Sequence, residues 1–211
     1  LQTHITPPDV SPESLMETLQ SLVEDGLAVE VGCSNVDSDE LRRLAIAGPI
    51  TWVQNRLSLV HQQAYREMAP QFRDLGIKLN PYQLVERGLL VSARRQPSAR
   101  REGDLRESKV EYIGEPFSVI ANWVDKELRP LADESGYAVE TLAIAWALNL
   151  ECVECCVVGA TDPLQVEANL RAADLKDDSD LMSRVDAAGS HLRDAIKETY
   201  GLSVEAFRGV G

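Results

Sequence analysis

Hydrophobic and polar positions along the chain switch repeatedly between a period of two and a period near 3.6, which predicts alternating strands and helices. The clearest strand runs into Leu27–Asn35, LAVEVGCSN. There Leu27, Val29, Val31 and Cys33 alternate with Ala28, Glu30 and Gly32 before Ser34-Asn35 breaks the run. Leu1–Ile5 forms a shorter strand before it. Between the two, Ser11-Pro12-Glu13-Ser14 supplies an N-cap serine, a proline at the first helical position and an acid in the first turn. Leu15, Leu19, Leu22 and Val23 then make an apolar stripe that Asp25-Gly26 ends. Strand, helix and strand in this order predict a parallel crossover unit.

The alternation continues. Asp37 or Ser38 caps a helix carrying Leu41, Leu44 and Ala45, and Gly48-Pro49 closes it. Ile50–Leu57 is a strand, Gln62–Leu75 a helix stopped by Gly76, and Ile77–Tyr82 a strand with its proline near the end, where a missing N–H is tolerated. Ser92 to Lys109 is polar, holds Arg94, Arg95, Arg100, Arg101 and Arg106, and predicts a long irregular loop. Helices over about Phe117–Ser135 and Val139–Leu150 follow, the second apolar nearly all round and so expected in the core. Val153–Val158 is almost wholly apolar, as in the interior of a parallel sheet. Gly159-Ala160-Thr161-Asp162-Pro163 turns into a helix bearing Val166, Leu170 and Ala173, and a last amphipathic helix spans about Ser179–Tyr200. The tail, Gly201–Gly211, has little pattern.

This is an α/β pattern: five strands alternating with helices in one domain over residues 1–211, with no second domain and no repeat beyond the alternation. A five-strand open sheet and the later part of an eight-strand barrel both satisfy it. An opening in mid-strand on Leu1 favours the barrel and a chain cut inside a larger domain, although a processed or engineered terminus gives the same opening.

Composition narrows the function classes. The 211 residues suffice for one sizeable core, and 44% hydrophobic with 26% charged residues is ordinary for a soluble globular protein. The 21 Lys+Arg against 34 Asp+Glu leave a net charge of −13. A surface this acidic repels nucleic acid and anionic membrane, so neither is expected as a partner. No run approaches the ~18 apolar residues of a spanning helix, and no signal peptide is legible. Of the four cysteines, Cys152, Cys155 and Cys156 crowd into one apolar segment and Cys33 stands alone, which is no disulfide framework and fits a reducing, cytoplasmic setting. Cys152-x-x-Cys155-Cys156 is half a zinc pattern without a second ligand pair at metal spacing, so core packing is expected and no metal.

Candidate chemistry starts from Ser34 and Asn35, because ligands of parallel α/β proteins gather at the carboxyl ends of strands. On residue type alone an ordinary turn opening is the favoured reading of the pair. Four segments in order carry more: LQTHITPPD, GLAVEVGCSN, WVQNRLSLV and LAIAWALNLECVECCVVGATDPLQVEANLRAADL. Together they resemble the carboxyl-terminal two thirds of an aldo-keto reductase, from its fourth barrel strand onward, over nearly the whole chain.

The resemblance implies a (β/α)8 TIM barrel, present here as an incomplete barrel with about five strands and their helices. It implies NADP(H) or NAD(H) as cofactor and a small-molecule carbonyl substrate. It also implies roles. His4 matches the active-site histidine facing the substrate carbonyl. Ser34, Asn35 and Gln54 match the residues that hold the nicotinamide carboxamide, and Tyr82 matches the aromatic under the nicotinamide ring. Gly159, Ala160, Thr161, Gln165 and Asn169 match the segment on the adenosine phosphate and adenine. The residue types suit these tasks. Ser, Asn and Gln can both donate to and accept from a carboxamide, and an aromatic face pins a flat ring. A helix N-terminus at Asp162-Pro163 suits a phosphate, and a histidine can donate to a developing alkoxide. Without the resemblance, His4 is an ordinary polar residue at a strand end, Tyr82 a wall residue, Gln54 a strand cap, and Thr161 and Asn169 turn and surface residues.

Departures matter as well. The family follows its stacking aromatic with Ser-Pro-Leu or similar, and here it is Gln83-Leu84-Val85. Where the family often has Glu-Asn, this chain has Ala168-Asn169, and where a basic residue is frequent it has Thr161, so the charge that would select a 2′-phosphate is missing at that position. The Arg94–Arg106 cluster replaces that charge or is solvated loop charge, and the second is favoured. The family's Asp, Tyr and Lys, of which Tyr is the general acid, lie upstream of residue 1. Two function classes stay open: an NAD(P)H-dependent carbonyl oxidoreductase complete only with the missing amino-terminal part, and a non-catalytic nucleotide-sensing subunit of the same fold.

Overall fold

The structure is a computed structural model and describes residues 1–91 and 114–200. The Arg94–Arg106 cluster and the 201–211 tail lie outside the described residues. Four short strands form one parallel sheet in the order β1 (Gln2–Thr3), β2 (Gly32–Ser34), β3 (Trp52–Gln54) and β4 (Lys78–Leu79). Helices α1 (Pro12–Glu24), α2 (Ser38–Ala47) and α3 (Gln63–Leu75) connect them in turn. The expected caps form. Ser11 Oγ accepts from the Ser14 amide at 3.2 Å, Asp37 Oδ1 from Glu40 at 2.8 Å, and Gly76 ends α3 in the left-handed region at φ 65°.

The strands are shorter than the alternation predicts, and the fifth is not a strand. Val153–Val158 touches β4 and its extension only through two parallel bridges, Leu79↔Val153 and Tyr82↔Val157. Val157 and Val158 are exposed rather than interior. The physical reason is lack of a neighbour: among the described residues nothing pairs with the far side of this segment, and a ladder held from one side extends poorly. The opposite edge behaves alike. Val31 and Cys33 are buried as the period of two predicts, but Leu27 and Val29 precede the paired residues, and Val29 is 93% exposed. Pro81, with no N–H to donate, interrupts β4 before bridging resumes at Tyr82.

The second half of the chain is helical. α4 (Gly114–Trp123) runs through one π turn, Val124–Leu128, into α5 (Arg129–Ser135). Pro130, just beyond, lacks the N–H that a regular ladder needs, and the π turn absorbs that mismatch. α6 (Val139–Leu148) is buried nearly all round, as its composition predicted. α7 (Pro163–Leu170) has no buried residue, and a 3-10 turn, Arg171–Leu175, leads to α8 (Ser179–Tyr200). Two indoles moor α8: Trp123 Nε1 donates to the Ala188 carbonyl at 2.7 Å, and Trp146 Nε1 to Asp186 Oδ1 at 2.9 Å. Arg66 of α3 meets the same carboxylate oxygen at 2.8 Å. No described helix is long and apolar enough to cross a membrane.

At the amino ends of the strands, Glu30 Oε2 accepts from Trp52 Nε1 at 2.5 Å and Lys78 Nζ lies 3.6 Å from its other oxygen. These bonds hold the Glu30 carboxyl below the usual carboxylate range, the Trp52 bond most of all. Gly32 faces this corner. A Cβ there would come within 2.3 Å of the Trp52 carbonyl oxygen, which is backbone of the paired strand. We expect Gly32→Ala to destabilise the fold by about 1–3 kcal/mol in a urea titration followed by tryptophan fluorescence, through overpacking of β2 on β3. A parent-like midpoint would mean that the two strands separate more easily than their register implies.

The cysteines differ in environment. Burial, and secondarily the charge of Glu40, pushes the Cys33 thiol up to about 12, and burial followed by Cys155 does the same to Cys156. Cys155 is exposed. Since only the thiolate attacks, Cys155 should be the fast thiol toward a disulfide reagent at mild alkaline pH. The buried Cys33 should react only after denaturant is added, and the half-buried Cys156 more slowly than Cys155. Equal rates for all four thiols in the native protein would contradict this packing.

Candidate nucleotide-binding site

The carboxyl ends of the strands converge on Asn35. It follows β2 in the left-handed region at φ 62°, a conformation asparagine tolerates better than most side chains. Its backbone N–H donates to the Gln54 carbonyl at 3.1 Å, its Nδ2 to the His4 carbonyl at 2.9 Å, and its Oδ1 accepts from Tyr82 Oη at 2.5 Å. One amide thus joins the residues that follow β1 and β4, while its backbone holds β3. His4 is exposed, and its imidazole has no hydrogen-bond partner among the described residues. Tyr82 is half-buried, and that burial is the main cause that raises its phenol pKa, against the pull of Arg56 and Arg87.

Ser34 and Gln54 lie beside this junction. Ser34 is buried, and its Oγ donates to the Gln54 carbonyl at 2.6 Å, so its hydroxyl links β2 to β3. The half-buried Gln54 side chain makes no hydrogen bond among the described residues. Asn55, which sequence reasoning passed over, secures the loop after β2. Its Oδ1 accepts from the Val36 N–H at 3.1 Å, its Nδ2 donates to the Val36 carbonyl at 2.7 Å, and its own carbonyl accepts from Tyr82 N–H at 3.2 Å. Its position directly after Gln54 at a strand end was the available signal.

From Tyr82 the chain enters a tight loop. Gln83, Glu86 and Arg87 all take positive φ, at 63°, 48° and 48°, and Gly88 follows at 86°. Such strain in non-glycine residues persists only where surroundings enforce it. Here the Glu86 side chain supplies the anchor. It is fully buried, it pairs with Arg56, and it accepts from Ser58 Oγ at 2.5 Å. Nothing in the spacing marked Glu86 as interior, because its burial follows from the left-handed turn and not from a helical or strand period.

This loop forms one wall of a cavity of about 780 Å³. Gln83, Val85 and Arg87 face it from the loop, Val157 to Thr161 from the edge segment, Gln165 and Asn169 from α7, and Glu140 and Ile144 from α6. Five residues singled out from the sequence, Gly159, Ala160, Thr161, Gln165 and Asn169, therefore share one cavity. His4, Asn35 and Tyr82 form a separate cluster that meets the cavity wall at Tyr82-Gln83.

The amino end of α7 is more self-contained than its sequence suggested. Asp162 Oδ1 accepts from the Gln165 N–H at 3.1 Å, and Gln165 Oε1 accepts from the Thr161 N–H at 2.7 Å and from its hydroxyl at 3.2 Å. Two of the amides expected to face an anion are thus held by side chains of the same turn. Asn169 Nδ2 reaches the Gly159 carbonyl at 3.5 Å. Among the described residues no group of three or more His, Cys, Asp or Glu gathers at metal-binding distance.

The model of the Aldo/keto reductase family matches residues 1–190. Among curated relatives, the NADH-specific methylglyoxal reductase of Escherichia coli (strain K12) is 28% identical over 170 residues, covering 80% of this chain and 51% of the relative. The versiconal hemiacetal acetate reductase of Aspergillus parasiticus is 31% identical over 159 residues, covering 71% of this chain and 45% of the relative. The chain spans about half the length of these curated relatives. Among solved structures, the glycerol dehydrogenase from Gluconobacter oxydans superposes with a TM-score of 0.79 at 21% identity, over 90% of this chain and 57% of that one. An aldo-keto reductase from Bacillus halodurans in its holo form gives 0.68 at 18% identity, over 90% and 59%. These superpositions establish the fold: the parallel strands and their helices are an incomplete (β/α)8 barrel. The matched model, the order of the four segments and the barrel architecture agree, and the chain belongs to the aldo/keto reductase family.

Proposed function

We propose that this chain supplies the nucleotide-holding, carboxyl-terminal part of an oxidoreductase that reduces a small aldehyde or ketone with NAD(P)H. In this reading the active unit also needs the further strands that complete the barrel. The observation that carries it is continuity: the His4–Asn35–Tyr82 junction at the strand ends runs through Gln83 into the cavity that Gly159, Ala160, Thr161, Gln165 and Asn169 line. Two relatives named as reductases, one NADH-specific, support the reaction class.

The residues present fit a nicotinamide dinucleotide. The cavity, about 780 Å³, has the size of a small-molecule site, and the half-buried Tyr82 directly precedes its lining residue Gln83. Ser34, Asn35 and Gln54 would hold the carboxamide, Tyr82 would carry the ring, and the 159–169 segment would hold the adenosine end. Binding exchanges bonds the protein already makes: Asn35 gives up Tyr82 Oη or the His4 carbonyl, and the α7 turn gives up its own side-chain caps. When bound, the cofactor supplies the hydride. His4, with its imidazole directed to solvent at the strand end, donates a hydrogen bond to the substrate oxygen as that oxygen gains charge. Tyr82 keeps its proton, since burial raises its pKa, and orients the ring from beneath. The proton for the product alcohol comes from an acid outside residues 1–211.

In the full-length gene product, His4→Ala should lower turnover by about 10²–10³ with little change in nucleotide affinity, because one donor to the developing oxyanion is lost. Steady-state kinetics with an aldehyde series reads this, and parent-like turnover would remove His4 from the reaction. Tyr82→Ala should weaken nucleotide binding by about 1 kcal/mol through the lost ring contact. Tyr82→Phe keeps the ring and releases Asn35, so it should bind at least as tightly as the parent. Equal weakening in the two variants, measured by quenching of tryptophan fluorescence, would shift the role from the ring to the hydroxyl.

A further inference from the structure

The cavity wall holds one acidic side chain without a partner among the described residues. Glu140 stands in the first turn of α6, half-buried, and lines the cavity together with Thr161, Gln165 and Asn169. It makes no hydrogen bond or ion pair among the described residues. Its place is fixed by its neighbour. Thr141 Oγ1 donates to the Ala168 carbonyl at 2.9 Å, which ties α6 to α7 one residue from Glu140 on one side and one residue from Asn169 on the other. Asn169 in turn bonds the Gly159 carbonyl. Glu140 therefore borders the part of the cavity enclosed by α7 and the Gly159–Thr161 turn. Position 168, beside Asn169, is alanine and offers no side-chain acceptor.

Among the described lining residues Arg87 is the only cation, and it belongs to the loop after Tyr82 rather than to α6 or α7. Thr161 contributes a hydroxyl that already bonds Gln165. Among the described lining residues α6 and α7 contribute no positive charge; the guanidinium of Arg171, directly after α7, is not among the lining groups and stacks on the Tyr137 ring at 4.6 Å.

We propose that Glu140 is the specificity residue of this site and selects a dinucleotide with free adenosine ribose hydroxyls, NAD(H), over one bearing a 2′-phosphate. This rests on the nucleotide reading of the cavity given above. A carboxylate accepts hydrogen bonds from ribose hydroxyls, the arrangement other dinucleotide folds use for NAD. Beside a 2′-phosphate the same group places like charges in a partly desolvated wall, where repulsion is several-fold stronger than in water.

The test titrates the full-length gene product with NADH and with NADPH by tryptophan fluorescence. The parent should bind NADH about tenfold or more tightly than NADPH. Glu140→Gln should narrow that ratio several-fold, mainly through a gain for NADPH, while Glu140→Asp, which keeps the charge, should preserve the preference. Circular dichroism of both variants reports the fold. A parent that prefers NADPH or shows no preference overturns the proposal, and so does a ratio that Glu140→Gln leaves unchanged. Binding of neither nucleotide would instead remove the nucleotide reading, and the role of Glu140 with it.

Discussion

The strand-end site depends on the amide of Asn35. A parallel sheet aligns the carboxyl ends of its strands but does not by itself fix the residues that follow them. Asn35 does so with three bonds: backbone to Gln54, Nδ2 to the His4 carbonyl, and Oδ1 from Tyr82. The left-handed turn at φ 62° makes this geometry possible, because it directs the side chain back across the strand ends. Replacing the side chain would release His4 and Tyr82 together. The second anchor, Glu86 with Arg56 and Ser58, performs the same service for the loop that continues from Tyr82 along the cavity.

The same sheet ends abruptly on both sides. β1 pairs only with β2, and Val153–Val157 touches only the β4 side among the described residues. Apolar side chains are concentrated near these edges: Leu1 and Ile5 at one, Val157 and Val158 at the other, with α7 presenting Leu164 and Leu170 to solvent. Parallel edges with apolar flanks favour further pairing. In a closed barrel, core layers draw side chains from alternate strands around the whole ring. Half a ring therefore leaves its own layers partly unpacked, which explains why α6, covered by α7 and α8, is the best-buried element while α7 has no buried residue. The site lies along the open side, so its geometry and the completion of the barrel are physically coupled.

Much of this was legible in the sequence. Capping residues such as Ser11, Asp37 and Asp162 act locally, so their helices begin where the residues say. The apolar run of α6 dictated its burial. The family resemblance brought Gly159 to Asn169 into consideration, and the cavity gathers them. Strand extent was not legible, because pairing depends on neighbours rather than on the period of the strand itself. Val29 keeps the alternation and is exposed, since it precedes the paired residues of β2 and no strand among the described residues covers it. Nor were Glu86 and Glu140 legible. The first is buried by a left-handed turn that no periodicity encodes, and the second lines the cavity only because Thr141 ties α6 to α7. The capping of α7 by Gln165 was hidden for a related reason: a helix N-terminus in a sequence shows its free amides but not the side chain that returns to occupy them.

The coupling between barrel completion and the strand-end site is tested most directly by comparing the 211-residue chain alone with the same chain joined to the strands that would close the barrel, for NADH consumption in the presence of an aldehyde and for association state in solution. Under the proposed reading the barrel-completed form consumes NADH, whereas the 211-residue chain alone does not and self-associates through its open edges. A monomeric 211-residue chain that unfolds cooperatively and oxidises NADH with the aldehyde would contradict it.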